Sequence, residues 1–410
     1  MDAMDATEPG ARRAPVLIAG GGPAGLALGL MLARRGVHST VLDARPLDTA
    51  RADPRLLALS RGTLQMLRPL VTLRPETMAA IRSVIVSSAG EFGRVRIGTE
   101  DVARGAAADE PLGATLRYGD LLLPLAQACD ASAFVTVHRP CRVAAVRQQP
   151  QQILADIEPA DADGRAALAA SLLVHAEGGA DTRTADAPAN FAQVAVLADV
   201  TVDGVAPGCA HERFTRDGPL ALLPAPGPAS TASAAGARNL SLVWCMPPAQ
   251  AQRRLALTDA DFVGELQQTI GVHNARVLRA GARASHALQS HARGTLHQHR
   301  VVWVGNAAQS LHPVAGQGLN LGLRDCAELA GLIGQAVADG RDPGTVLPDY
   351  ARRRRTDRTA LITLTRNAPA LFASRAAPLA LGRSLALSAL SMIPELRREF
   401  VRLLMFGVRA

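Results

Sequence analysis

The stretch APVLIAGGGPAGLALGLMLARRGVHSTVLDAR, residues 14–45, decides how the first part of this chain folds. Its VLI is a short apolar run of the kind that fills a parallel strand buried on both faces. Gly20, Gly22 and Gly25 follow at G-x-G-x-x-G spacing. Residues 24–35 carry helical periodicity, and Gly36 stands where a helix stops. STVLD reads as the next strand, ending in Asp43, eighteen residues beyond Gly25. Each part has a physical role. Gly20 allows the tight turn, Gly22 lets backbone approach a pyrophosphate, and Gly25 lets the helix pack close to the sheet. The helix N-terminus offers free N–H groups and partial positive charge to phosphates, and Asp43 can accept from a ribose hydroxyl. A dinucleotide site follows, and this unit alone fits NAD and FAD equally.

Working outward, the bulk numbers limit the remaining choices. A 410-residue chain that is 48% hydrophobic and 20% charged builds a large core and is not a disordered polymer. No uncharged apolar run reaches the length of about 18 residues that a spanning helix needs. Residues 1–13 contain acids and no apolar core, so they read as a short disordered lead and not a signal peptide. A cytoplasmic location, with peripheral contact at the inner face of a membrane as a further option, is the expectation. The five cysteines (Cys129, Cys141, Cys209, Cys245 and Cys326) lie far apart with no C-x-x-C, which predicts buried thiols and neither a disulfide framework nor a zinc site. The +8 charge comes wholly from arginine, since the chain has no lysine. Schiff-base and P-loop lysine chemistry are therefore excluded. The arginines are scattered and aromatics are few, so nucleic acid is not an expected partner.

Three further segments give the chain its resemblance. Arg55 precedes ALS in DPRLLALSRGTLQML (residues 53–67), ERFTRDGPLALLP spans 212–224, and GNAAQSLHPVAGQGLNLGLRD spans 305–325. Together with the amino-terminal loop, these resemble the group A FAD-dependent aromatic hydroxylases, in the branch that hydroxylates ubiquinone precursors. The resemblance thins between residues 70 and 117 and beyond about residue 355.

That resemblance implies an α/β fold: a Rossmann-like FAD-binding domain (residues 14–75, 114–180 and 295–350) interleaved with a mixed or antiparallel β-sheet substrate domain (76–113 and 181–294). A C-terminal helical region (351–410) completes it. It implies FAD as cofactor, NAD(P)H as transient reductant and O2 as co-substrate, with oxygen delivered from a flavin hydroperoxide to a polyprenylated phenol. The absence of a second strand-linked G-x-G-x-x-G independently leaves no separate nicotinamide domain. The implied cofactor residues are Gly20, Gly22, Pro23, Ala24, Gly25, Asp43, Arg45, Arg55, Arg117, Glu177, Gly305, Asn306, Gly316, Gly318, Leu319 and Asn320. Among them, Gly305-Asn306 would meet the ribityl chain, and the backbone N–H groups of Gly318, Leu319 and Asn320 the pyrimidine edge. A helix N-terminus there favours the negative charge of reduced flavin, and the nearby glycines are expected to let backbone approach the ring. His312 and Pro313 are the candidate catalytic loop under the flavin ring. Phe214, Pro219, Ala221 and Leu223 are the candidate substrate pocket.

Several positions depart from the family pattern. Asn306 and Gln309 stand where most relatives carry Asp and His, Asp43 replaces the commoner Glu, and Glu177-Gly178 replaces an Asp-Gly, with Arg183 matching the closing Arg of that motif. His291, His297 and His299 suggest a metal cluster, but their polar setting before a strand predicts solvated loop histidines and no metal. Residues 348–372 read as a helix that breaks near Pro369. The apolar, arginine-dotted segment after it reads as a helical layer on the FAD domain, as a surface for a membrane or a ubiquinone-biosynthesis complex, or as both. Hydroxylation of another aromatic compound, and a non-catalytic role holding FAD within such a complex, remain as alternatives.

Overall fold

The computed structural model describes residues 14–102, 109–159, 166–178, 189–227, 236–271, 275–373 and 376–408. The lead 1–13 and Arg183 lie outside them. The amino-terminal unit forms as its sequence dictates: strand Ala14–Ala19, helix Pro23–Ala33 with Pro23 in its first turn, and strand Ser39–Leu42. The chain leaves the helix through Gly36 at φ +71°. Strand Ala14–Ala19 pairs in parallel with Ala166–His175 on one side and Ser39–Leu42 on the other. Val135–His138 and Val301–Trp303 extend this parallel core outward. The residues that drive it are Val16, Ile18, Val41, Leu172, Val174 and Val302, all buried between the sheet and the helices that cover it.

A second, nine-stranded sheet is largely antiparallel. Its centre is the long strand Ala189–Asp203, flanked by Arg238–Met246 and Ala284–Ala292. Cys209–Phe214, Pro219–Pro224, Ser83–Ser88 and Arg94–Gly98 continue it. A three-stranded sheet of Leu56–Ser60, Gly113–Arg117 and Met78–Ile81 sits between the two larger ones.

Helix Gln317–Ala338 packs on Pro23–Ala33 over the parallel sheet. Helix Leu347–Ala373 then runs on through Pro369 without the expected break. Pro369 costs one ladder hydrogen bond, but the last turn is held by tertiary packing: Phe372 stacks on Phe214 at 3.8 Å between ring centres. Helices Ala377–Met392 and Pro394–Phe406 close the fold. They seat on two glycines, Gly62 and Gly93, from much earlier in the chain. A Cβ at Gly62 would lie 2.4 Å from the Met405 carbonyl oxygen, and one at Gly93 would lie 2.8 Å from the Ser384 backbone. Among the described residues no single helix is long and apolar enough to cross a membrane, although these last two form a bent apolar pair, 99° apart.

Candidate functional site

One cavity of about 990 Å³ is lined by both glycine-rich segments, Gly22 and Gly318 among them, which lie nearly 300 residues apart in the chain. At its first end the backbone does the shaping. Gly20 turns at φ +108°, and a Cβ at Gly25 would fall 1.8 Å from the Gly20 carbonyl oxygen, so helix Pro23–Ala33 sits hard against the turn. Its N-cap is Gly22, with no side-chain cap and no acid in the first turn. The first N–H groups therefore face the cavity wall unspent on side chains. Gly20, Gly22, Pro23 and Ala24 line the cavity, whereas Gly25 lies beneath it as a packing residue.

Asp43 also lines this end and is buried. Its Oδ1 accepts from the Arg45 backbone N–H at 2.9 Å, while its Oδ2 is buried without a hydrogen-bond partner. Arg45 and Arg55 stand on the rim. Arg55 is fastened by Asp53, its Nη2 donating at 2.6 Å to Oδ2, and lies over the Tyr118 ring. The Asp53 hydrogen bond, acting against burial, holds the Arg55 guanidinium above its ordinary pKa. Glu177 is half-exposed at the wall, 2.8 Å from His175 Nδ1. Arg117 is elsewhere. It donates to Asp199 Oδ2 at 2.6 Å and to the Pro54 carbonyl at 3.2 Å, tying the small sheet to the large antiparallel one.

The middle of the cavity is made by residues 305–322. Gly305 and Asn306 line it from a short 3-10 turn, followed by Pro313, Val314, Gly316, Gly318, Leu319 and Asn320. Gly316 is the N-cap of helix Gln317–Ala338 at φ +59°, a conformation that favours glycine. Gly322 permits contact with Gly305, since its Cβ would lie 2.9 Å from the Gly305 Cα. Only Gly318 has open space where a Cβ would go, with its nearest neighbour 4.0 Å away at Asn306 Oδ1. Most of these glycines thus serve the chain's own packing, and Gly318 alone keeps a face of the cavity clear.

The helix start also moves the expected donors by one residue. With Gly316 as N-cap, the first N–H groups of the helix belong to Gln317, Gly318 and Leu319, and that of Asn320 enters the helical ladder. Asn320 acts through its side chain instead. Its Nδ2 donates to the carbonyls of Ala58 at 2.9 Å and Gly316 at 2.7 Å, and its Oδ1 accepts from the Ser60 N–H at 2.9 Å. It clamps strand Leu56–Ser60 to the helix start.

His312 does not reach the cavity. It is buried behind the loop, its Nε2 2.9 Å from Gln193 Oε1, and burial pushes its pKa down to about 4. The neighbouring Pro313 lines the cavity, so the loop's exposed chemistry is apolar. The histidines before the strand also differ from expectation. His291 is buried at the end of strand Ala284–Ala292, opposite Ser310, and burial lowers its pKa. His297 is half-buried on a short strand, and only His299 is exposed in a turn at φ +49°. No metal-holding group of His, Cys, Asp or Glu occurs among the described residues. All five cysteines are buried and free.

Beneath the helix start lies a network that the sequence reading missed. Asp325 is fully buried; its Oδ2 accepts from Gln309 Nε2 at 2.7 Å and its Oδ1 from Arg354 Nε at 2.6 Å. Arg354 also donates to Asp357 at 2.7 Å, which accepts from Arg324 at 3.2 Å. Arg358 closes the network onto Gln309 Oε1 at 2.5 Å and the Ala308 carbonyl at 3.0 Å. Gln309, the departure from His, is thus a bridging amide that both donates and accepts. The i, i+3 and i, i+4 spacing of Arg354, Asp357 and Arg358 was the signal that could have found it.

The far end of the cavity is an apolar chamber. Strand Pro219–Pro224 alternates: Leu220 and Leu222 join the core of the antiparallel sheet, while Ala221 and Leu223 line the cavity with Phe214. Pro219 is buried but does not line it. The opposite wall is formed by the C-terminal helices through Arg383, Leu387, Leu390, Phe400, Val401 and Leu404. Arg383 is buried and paired with Glu91. The outer face of the same helices exposes Leu379, Leu381, Leu385, Met392, Ile393 and Leu396.

These features fit FAD. The unspent helix N-terminus at Gly22, the buried Asp43 oxygen that accepts no hydrogen bond and has only Arg139 within ion-pair distance at 3.9 Å, and the open space at Gly318 lie along one slot. A family model described as FAD binding domain matches residues 13–365. The chain is 31% identical over 405 residues to ubiquinone hydroxylase UbiL of Rhodospirillum rubrum, covering 95% of this chain and 89% of the relative. It is 26% identical to 3-demethoxyubiquinol 3-hydroxylase of Escherichia coli, with 94% and 97% covered. Its fold superposes on p-nitrophenol 4-monooxygenase PnpA of Pseudomonas putida at a TM-score of 0.72 and 16% identity, covering 97% and 99%.

Proposed function

We propose, from the premise that this chain belongs to the FAD binding domain family, that it is an FAD-dependent monooxygenase of ubiquinone biosynthesis. The reaction assigned to it is hydroxylation of the aromatic ring of a polyprenylated phenol with NAD(P)H and O2. The observation that carries this reading is one continuous cavity, polar and backbone-walled at the Gly22 end and mostly apolar between the antiparallel sheet and the C-terminal helices. Within the branch, the motifs resemble those of 2-octaprenyl-6-methoxyphenol hydroxylase, and names such as ubiquinone hydroxylase among its relatives support the pathway.

Bound FAD supplies the redox chemistry and the activation of O2. The protein's residues bind, orient and exclude water. The N-terminus of helix Pro23–Ala33 would hold the pyrophosphate and Asp43 a ribose hydroxyl. Asn306 would meet the ribityl chain as donor and acceptor. The N–H groups of Gln317, Gly318 and Leu319 would stabilise negative charge at the pyrimidine edge. Val314, Phe214 and Phe372 pack together beside the loop and keep water from the reacting ring. The chamber between sheet and C-terminal helices suits an apolar side chain. The exposed leucines on the outer face of those helices support a peripheral contact with a membrane or a biosynthetic complex.

The test is turnover by the FAD-loaded chain. A prenylated phenol should stimulate NAD(P)H oxidation and give a product carrying one oxygen atom from labelled O2. Product formed only from small soluble phenols would favour a different aromatic substrate. Tight FAD binding without stimulated oxidation would indicate an assembly role.

A further inference from the structure

Seven of the nine large apolar side chains exposed among the described residues belong to one patch. Six fall within residues 379–396: Leu379, Leu381, Leu385, Met392, Ile393 and Leu396. The seventh is Phe92, 70% exposed. Its neighbours Glu91 and Gly93 both touch helix Ala377–Met392, Glu91 by pairing with Arg383 and Gly93 through its close seat on Ser384.

That helix is built inside out. A helix on a protein surface normally turns apolar residues to the core and charge to water. Here the one charged residue, Arg383, is buried with Ser384 beside it. Leu381, Leu385 and Met392 recur at i, i+4 and i+11, which places them on one outward stripe. Every exposed residue from 378 to 390 is apolar: Pro378, Leu379, Leu381, Gly382, Leu385 and Ala386. The next helix leaves at 99°, so Met392, 80% exposed, and Ile393 stand at the outside of a corner. The patch is a projecting wedge.

The chemistry of the face decides what covers it. An interface between proteins carries about one hydrogen bond per 100–200 Å², and this stripe exposes no polar side chain to make one. Hydrocarbon asks for none. Residues 359–394 contain no Asp or Glu, so no carboxylate on the face opposes anionic headgroups. The acids at its margin are held by arginines: Glu91 by Arg383, Asp101 by Arg397, Glu395 by Arg398 and Glu399 by Arg402. At 16 residues, about 24 Å, the helix is too short to span a bilayer core and the right shape to lie along its surface.

We infer that a lipid bilayer covers this face, with helix Ala377–Met392 lying at the headgroup boundary and the Met392–Ile393 corner entering the acyl chains. The inward face of the same helix walls the chamber through Arg383, Leu387 and Leu390. One helix thus separates bilayer from chamber, and an apolar substrate passes between them without crossing water. The docking rests on the exposed face alone; the passage of substrate rests on the phenol reading given above.

The test mixes the FAD-loaded full chain with phosphatidylcholine vesicles containing phosphatidylglycerol and measures co-sedimentation. Salt at about 0.5 M screens attraction due merely to the chain's +8 charge. Wild type should pellet with the vesicles. The triple variant Leu381→Ser, Leu385→Ser, Met392→Ser, altered only at exposed positions outside the chamber, should keep its FAD and partition at least about ten-fold less. Wild type that stays in solution, or a triple variant that still pellets, would overturn the docking. A wild-type dimer that ignores vesicles and falls to monomer in the triple variant would overturn it too, in favour of a second copy of the chain on this face. Should the triple variant lose FAD, Met392→Trp decides: its emission must move to the blue with vesicles and be quenched by brominated acyl chains, and an unmoved emission refutes the docking. No phenol is present in these measurements, so vesicle binding by a chain that fails to turn over prenylated phenols sinks the phenol reading and leaves the docking intact.

Discussion

The two ends of the cavity are built from different material. At the cofactor end the wall is backbone: the turn at Gly20, the helix start at Gly22 and the helix start at Gly316–Gly318. At the substrate end it is side chain: Phe214, Ala221 and Leu223 from one sheet facing Leu387, Phe400 and Leu404 from the last helices. A backbone wall depends on what the chain can do locally, so a short motif encodes it. A side-chain wall depends on segments that meet only after the chain has folded. Substitutions at the first end should therefore strike cofactor binding and stability, and those at the second should strike substrate alone.

The largest effect is expected from Gly25→Val. Its side chain has no room against the Gly20 carbonyl, so both the helix packing and the loop geometry fail. Purified protein should contain essentially no FAD and lose about 3 kcal/mol or more of stability, read by flavin content and chemical denaturation. Asp325→Ala comes next. It leaves Arg354 buried beside one remaining carboxylate, Asp357, and orphans Gln309 Nε2, for a cost of about 3–5 kcal/mol in the same denaturation measurement.

The third prediction concerns pH and two buried histidines. Burial depresses both His312 and His211 to about 4, with Arg94 adding to the effect at His211. The unfolded chain protonates them near 6.5, so their contribution is fully present above that pH and is lost as pH falls through about 4. Each accounts for up to about 3 kcal/mol. Denaturation midpoints should drop between pH 7.5 and 4.5, and His211→Leu should flatten that drop. An unchanged slope would mean that His211 already carries a proton in the fold.

The smallest effect sharpens the contrast most. Leu223→Trp fills the chamber, and it should weaken 2-prenylphenol binding at least about ten-fold with FAD content unchanged. Loss of FAD in this variant would mean that the two ends are not separable.

The same division explains what the sequence could tell. The G-x-G-x-x-G unit, the apolar strand at 218–224 and the glycine-rich loop at 305–322 were legible because period and turn chemistry act over a few residues. Arg117 was misplaced because nothing local reveals that its guanidinium crosses to Asp199. His312 was misplaced because a loop histidine reads the same whether it faces a cavity or a buried glutamine. Pro369 failed as a stop signal because the Phe372–Phe214 stack, a contact between residues far apart in the chain, holds the last helical turn. The roof of the chamber was invisible for the same reason, since the C-terminal helices are placed by Gly62 and Gly93 far earlier in the chain.

Gly22 and Gly318 provide the most direct measurement. Neither has a φ that excludes other residues; a Cβ at Gly22 meets only the Tyr118 hydroxyl at 3.2 Å, and one at Gly318 meets nothing closer than 4.0 Å. Gly22→Val and Gly318→Val should therefore leave the fold standing and obstruct the same bound cofactor from its two ends. Wild type should purify with one FAD per chain, and each variant should show wild-type circular dichroism with FAD occupancy reduced at least about ten-fold. Full occupancy in either variant would contradict the claim that both segments grip one molecule.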